Sequence, residues 1–199
     1  MLPSNQLSDI PRPGPFGYPV KSARPDDLMQ GWELGGLGLN DPTFGLMFQL
    51  WTCTAEDDIN TGIVSVYVQA PVVAKTLLFS GLGITSVDIA FDQNMRPFVA
   101  YKQTGIWKYW WYDPTVQQQI HSTLADARDL RCCLDDHNSF GVSSSDILLC
   151  YIDATNRLCV RYQRDRYAIE YVLTTGIVEN LVYVGRNSQS RVQFGFGYL

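Results

Sequence analysis

The triplet Asp135-Asp136-His137 sets two carboxylates beside an imidazole, and a second histidine, His121, lies sixteen positions upstream. Carboxylates and imidazoles serve hydrolysis and metal binding, but a metal centre needs three or four ligands converging on one point. The triplet reads more simply as the solvated end of the strand-like run "LRCCL", followed by the loop "NSFGVSSS". Glu56, Asp57 and Asp58 likewise read as a polar turn, with calcium binding through exposed carboxylates as the functional counterpart. The chain contains no GxSxG, no phosphate-binding glycine loop and no paired catalytic carboxylates in a recognisable setting. This pattern points to a non-enzymatic protein without a cofactor.

Two other stretches carry chemistry of recognition. "IWKYWWYDP" places Trp107, Tyr109, Trp110, Trp111 and Tyr112 within six positions, so large rings fall on both faces of one strand. One face is expected to pack inward. The other would enter a subunit interface, pack into core as well, or stack on sugar rings. "RLCVRYQRDRY" holds Arg157, Arg161, Arg164 and Arg166 in ten residues, a basic stripe with Asp165 and Glu170 nearby. It reads as a solvated strand edge or as an interface with an acidic surface.

The 15 basic and 20 acidic residues give a net charge of −5, the wrong sign for a protein that coats nucleic-acid phosphates. No apolar run approaches the roughly 18 residues of a membrane span, and the N-terminus lacks the basic-then-apolar order of a secretory signal. A length of 199 residues with 46% hydrophobic content suits one domain with a real core, with or without an appendage. The cysteines Cys53, Cys132, Cys133, Cys150 and Cys159 match neither a disulfide framework nor a paired zinc site. A tight turn near Asp153 would place Cys150 directly opposite Cys159 across a hairpin, a geometry compatible with proximity although reduced thiols are expected.

These residues must be positioned by β-structure. Six of the ten prolines precede residue 26, so residues 1–30 read as an extended arm with Phe16 and Tyr18 as docking anchors. From residue 31 to 199, short β-favouring runs alternate with Gly, Asn, Asp and Ser, which predicts an all-β body of about ten strands. The exception is "DPTVQQQIHSTLADARDL", where Pro114 and the spacing of Val116, Ile120 and Leu124 suit a helix. "QQQIHSTL" also alternates as a strand, and a strand there would complete a four-stranded, propeller-blade-like unit.

Within the body one pattern recurs without a gap, shifted by sixty-one positions: "FDQNMRPFVAY" at 91–101 and "IDATNRLCVRY" at 152–162. Asp92, Arg96, Val99 and Tyr101 return as Asp153, Arg157, Val160 and Tyr162. The Asp is expected to accept backbone N–H groups in a turn, the Arg to pair with it or cap carbonyls, and the Val and Tyr to share a face. The units, about 86–113 and 147–173, read as duplicated antiparallel β-meanders arranged as propeller blades or as a sandwich. Two clear copies are too few to close a propeller, so their open faces must be covered within the chain or by other subunits.

The phrases "GWELGGLGLNDPTFGLMFQLW", "VDIAFDQNMRPFVAYKQTGIWKYWWYDP", "DILLCYIDATNRLCVRYQRDRYAIEYVL" and "RVQFGFGYL" resemble tail-associated virion structural proteins of tailed bacteriophages. The resemblance spans most of residues 31–199 and carries no catalytic residues. It implies a tail fibre, a fibre-attachment adaptor, a nozzle-associated component or a baseplate piece, made in the bacterial cytoplasm and resident in the virion tail. The implied partners are copies of itself and other tail proteins, with host-surface glycan as a further one. Phe16, Tyr18, Trp107, Tyr109, Trp110, Trp111, Arg161 and Arg164 are the expected assembly residues. The alternative is a carbohydrate-binding β-module using the aromatic surface. A polysaccharide-degrading enzyme lacks its carboxylate pair.

Overall fold

Valine-, isoleucine- and aromatic-rich runs of five to ten residues cannot bury their two faces alone, and here they do so by stacking as sheets. A computed structural model describes residues 19–21, 34–40, 49–70, 73–92, 96–135, 146–186 and 192–198, with side chains from Trp51 onward. The first sheet has the order β1 (Pro19–Lys21), β2 (Leu34–Asn40), β3 (Gln49–Asp58), β4 (Ile63–Gln69) and β5 (Thr76–Leu82). The second is β6 (Ile84–Phe91), β7 (Pro97–Gln103), β8 (Ile106–Asp113) and β9 (Gln118–Leu124). The third is β10 (Arg128–Asp135), β11 (Asp146–Ile152), β12 (Leu158–Tyr162) and the short β13 (Tyr171–Val172). The fourth pairs β14 (Val178–Arg186) with β15 (Val192–Tyr198). Every ladder joins sequence neighbours in antiparallel sense, so each sheet is a meander. Among the described residues, no helix is long and apolar enough to cross a membrane.

The region left open between helix and strand is β9, which completes a four-stranded sheet. β8 had already buried both faces, and pairing His121 with Trp110 and Ile120 with Trp111 satisfies its outer backbone groups. Residues 19–21, assigned to the arm on composition, pair with Gly36–Gly38 at one edge of the first sheet. "YAIEYVL" is strand only at Tyr171–Val172, because a 3-10 turn at Gln163–Asp165 and left-handed φ values at Arg166 (51°) and Tyr167 (59°) redirect the chain first. Between β7 and β8, Thr104 and Gly105 both take positive φ, the two-residue turn whose twist suits adjacent antiparallel strands.

Three cores lie between the four sheets. The first joins Cys53, Ala55, Val64 and Val66 of the first sheet to Val87, Ile89, Phe91, Val99, Tyr101 and Trp110 of the second. The next joins the opposite face of the second sheet, with Phe98, Trp107, Tyr109 and Trp111, to Leu130, Cys132, Leu149, Cys159 and Tyr167. The last seats Leu148, Cys150, Ile152, Leu158 and Val160 on Val178, Leu181 and Val184. The second and third sheets are therefore buried on both faces, which explains why their strands read as continuous apolar runs. Successive sheets touch chiefly near their N-terminal edges, β2 on β6, β6 on β10 and β10 on β14, as in the fanned sheets of a propeller.

That fan explains the aromatic segment. In the core between the second and third sheets, side-chain size grows from Ala90 on β6, through Phe98 and Ala100 on β7, to Trp107, Tyr109 and Trp111 on β8. Sheets in contact along their first strands leave a widening wedge, and larger rings fill it. Trp107, Tyr109, Trp110 and Trp111 are 2–5% exposed within the single chain. Their expected use as an interface or sugar platform is therefore corrected: both faces of β8 are core.

The sixty-one-residue repeat has a structural counterpart, with an offset. Val87 pairs with Tyr101 and Ile89 with Val99; Leu148 pairs with Tyr162 and Cys150 with Val160. The third strands agree too, since Phe98 opposes Trp111 and Cys159 opposes Val172. The first copy nevertheless occupies strands one to three of its sheet and the second copy strands two to four. The sequence repeat and the sheet are thus out of phase by one strand. The same register places Cys159 opposite Tyr151, so Cys150 and Cys159 face different cores, contrary to the expected cross-strand opposition. All five cysteines are buried free thiols.

Candidate functional site

The recurring Asp builds its turn as its chemistry demands. Asp153 N–H donates to the Arg157 carbonyl at 3.0 Å, and Asp153 Oδ1 accepts the N–H groups of Thr155 at 2.9 Å and Arg157 at 2.8 Å. In the first copy, Asp92 N–H donates to the Arg96 carbonyl and Asp92 Oδ1 accepts Arg96 N–H, each at 2.9 Å. The copies differ at the second carboxylate oxygen. Asp153 Oδ2 receives Arg157 Nε at 2.8 Å, whereas Asp92 Oδ2 receives Gln163 Nε2 at 3.2 Å from the 3-10 turn that follows β12.

Around the second turn a polar cluster borders a cavity of about 350 Å³, with Ala125, Asp126, Tyr151 and Thr155 in its wall. Arg157 Nη2 lies 2.6 Å from Asp153, and Arg161 Nη2 lies 3.4 Å from Glu170 Oε2. Arg161 Nε also donates to the Tyr151 hydroxyl at 2.9 Å, and that hydroxyl donates to Glu170. Burial would raise the Asp153 carboxyl, but hydrogen bonds from Arg157 and Thr155 outweigh it and hold the group at about 2. Burial, reinforced by Glu170, pushes the Tyr151 phenol upward. A general acid or base works best with a pKa near the operating pH, and these groups are driven away from it.

Asp153, Cys159 and Glu170 bring their ligand atoms within 4.8 Å of one another, the spacing of a metal triad. Their chemistry opposes that use. Both carboxylates are engaged by Arg157 and Arg161, and burial pushes the Cys159 thiol up to about 12. The cluster is an internally neutralised ion-pair network.

The rest of the arginine stripe is also satisfied within the chain. Arg164 meets Asp146 at 3.0 Å and stacks 3.9 Å from the Tyr162 ring centroid. Arg166 meets the buried Asp113 at 2.6 Å. Sequence alone could not assign these partners, because Asp113 lies on another sheet. Glu56, Asp57 and Asp58 prolong β3 rather than forming the turn, which follows at Ile59–Gly62 with Asp58 capping Asn60 N–H at 3.0 Å. Phe16, Tyr18, Asp136 and His137 lie outside the described residues.

His121 enters a second polar centre that its weak metal reading did not anticipate. Its Nδ1 sits 3.2 Å from the Tyr101 hydroxyl, and the Phe79 ring meets it edge-on at 5.4 Å between centroids. Burial and the nearby Lys108 ammonium both lower its pKa, so the imidazole is neutral near pH 7. A signal was present once the hairpins were drawn, since the register sets Lys108 between Tyr101 and Thr123 on one face. With both centres described, comparison with family models, curated proteins and solved structures finds no match to this chain.

Proposed function

We propose that this chain is a non-enzymatic structural component of a bacteriophage tail, of the fibre, fibre-attachment adaptor or nozzle-associated type, assembling with copies of itself and with other tail proteins. The resemblance carried by residues 31–199 supplies the class. The observation that carries the assembly reading is the asymmetry among the four sheets. The two middle sheets bury both faces, while the first and fourth bury one and leave large apolar side chains outside. Among the described residues, Leu82 is 65% exposed on β5, and Val182 and Tyr183 are 68% and 48% exposed on β14. Apolar surface at both ends of a stack suits continuation of the stack by other subunits. Acidic groups committed to arginine pairs suit a rigid building block better than a catalyst.

The test is proteomic analysis of purified virions combined with immunogold labelling. Label on the tail is the expected result. Virions that lack the chain would overturn the reading.

A further inference from the structure

Two neighbouring rows of side chains cross the face of the second sheet that looks onto the first. One is Val87, Tyr101, Lys108 and Thr123; the other is Ile89, Val99, Trp110 and His121. The inner members are core residues, but at the outer strands the rows become polar. There the two sheets part, and a cavity of about 300 Å³ opens between β5 and β7–β9. That volume is at the lower end of small-ligand sites, enough for one or two sugar rings.

The charge arrangement is unlike that of the arginine cluster. Lys108 Nζ donates to Gln103 Oε1 at 2.9 Å, and Gln103 Nε2 donates to the Leu82 carbonyl at 3.0 Å, so the amide is fixed with its oxygen on the ammonium. Among the described residues, no carboxylate lines the cavity and no ion pair engages Lys108. An ammonium has three donors, and one is used. His121 keeps Nε2 beyond its contact with Tyr101, and Thr123 adds a hydroxyl. Gly81 lines the cavity beside Gln103, and a Cβ there would lie 2.8 Å from Gln103 Nε2, so the amide would have to shift.

We propose that this groove binds a carboxylate-bearing saccharide ring, with Lys108 taking the carboxylate, Gln103, His121 and Thr123 taking ring hydroxyls, and Phe79 forming an apolar wall. Two remaining ammonium donors match the two oxygens of a carboxylate. A phosphate dianion calls for more charge, through forked arginines or a nest of backbone amides, and the groove offers neither. Lys108 brings a positive charge that no carboxylate among the described lining residues offsets, which favours an acidic sugar over a neutral one. The site does not depend on the tail assignment.

The experiment titrates the full chain with methyl glucuronide, methyl sialoside, methyl glucoside and inorganic phosphate, following amide chemical shifts. Saturable binding of at least one acidic sugar is expected, with methyl glucoside weaker by about tenfold or more. The shifts should centre on residues 79–81, 101–108 and 121–123, and Lys108→Gln should abolish saturation while Lys108→Arg restores part of it. The shift map of the unmodified chain stands even if a variant folds poorly. The proposal is overturned if neither acidic sugar saturates, if the shifts centre elsewhere, if a folded Lys108→Gln binds unchanged, or if phosphate binds as tightly as the sugars.

Discussion

The buried carboxylate of Asp88 accepts the backbone N–H of Cys132 at 2.8 Å, joining the first strand of the second sheet to the first strand of the third. The motif repeats one sheet further on, where Asp129 Oδ2 accepts the N–H of Leu181 at 3.2 Å. Asp129 reaches it from a register slip in β10 between Arg128 and Arg131, with φ at 46°. Sheet faces pack without direction, because apolar contact is insensitive to small slides. These carboxylates set the slide.

Asp88→Ala is therefore expected to cost about 1–3 kcal/mol, since it strands a buried donor. Urea denaturation measures the loss directly. Asp129→Ala should cost less, as its acceptor role lies in a partly exposed setting. Equal stability of Asp88→Ala and the parent chain would show that the staple contributes nothing.

Acid should weaken the fold through Asp153. Its folded-state value of about 2 lies below the ordinary carboxylate value of about 3.9, so its contribution is fully present above roughly pH 4. It is lost progressively as the pH falls toward 2. Asp113 acts in the same direction: burial opposes ionisation, but hydrogen bonds from Thr115 and Arg166 prevail and lower its pKa. Melting temperatures of the parent and Asp153→Asn between pH 5 and 2 should converge at the acid end, and parallel curves would remove Asp153 from the account.

Tyr167 packs against Phe98, Tyr109 and Trp111, with ring centroids 4.9–5.3 Å away, and its buried hydroxyl has no hydrogen-bond partner among the described residues. Tyr167→Phe should therefore keep or raise stability, because an unpaired buried hydroxyl is costly. Tyr167→Ala should lose about 3–5 kcal/mol by emptying the wedge. Calorimetry of the two variants separates ring from hydroxyl, and a large loss in Tyr167→Phe would mean that the hydroxyl is engaged.

The local part of this architecture was legible in the residues. Alternating apolar runs dictate strands because successive side chains point to opposite faces, and Asp92 and Asp153 form their turns because a carboxylate reaches amides a few residues on. Both are short-range effects, so the all-β body and the matching turns of the repeat followed from sequence, whereas the strand register differs by one residue from the expected opposition of Cys150 and Cys159. Which faces meet is a long-range matter. Nothing local to Trp107–Trp111 distinguishes an exposed ring from one filling the wedge between fanned sheets, and only the partner sheet, with Leu130, Leu149 and Tyr167, decides it. The same holds for Arg166, whose carboxylate partner is 53 positions away on another sheet, and for the one-strand offset of the repeat. Lys108 looked ordinary because what sets it apart is that no carboxylate among the described residues lines the groove, and folding alone determines which residues do.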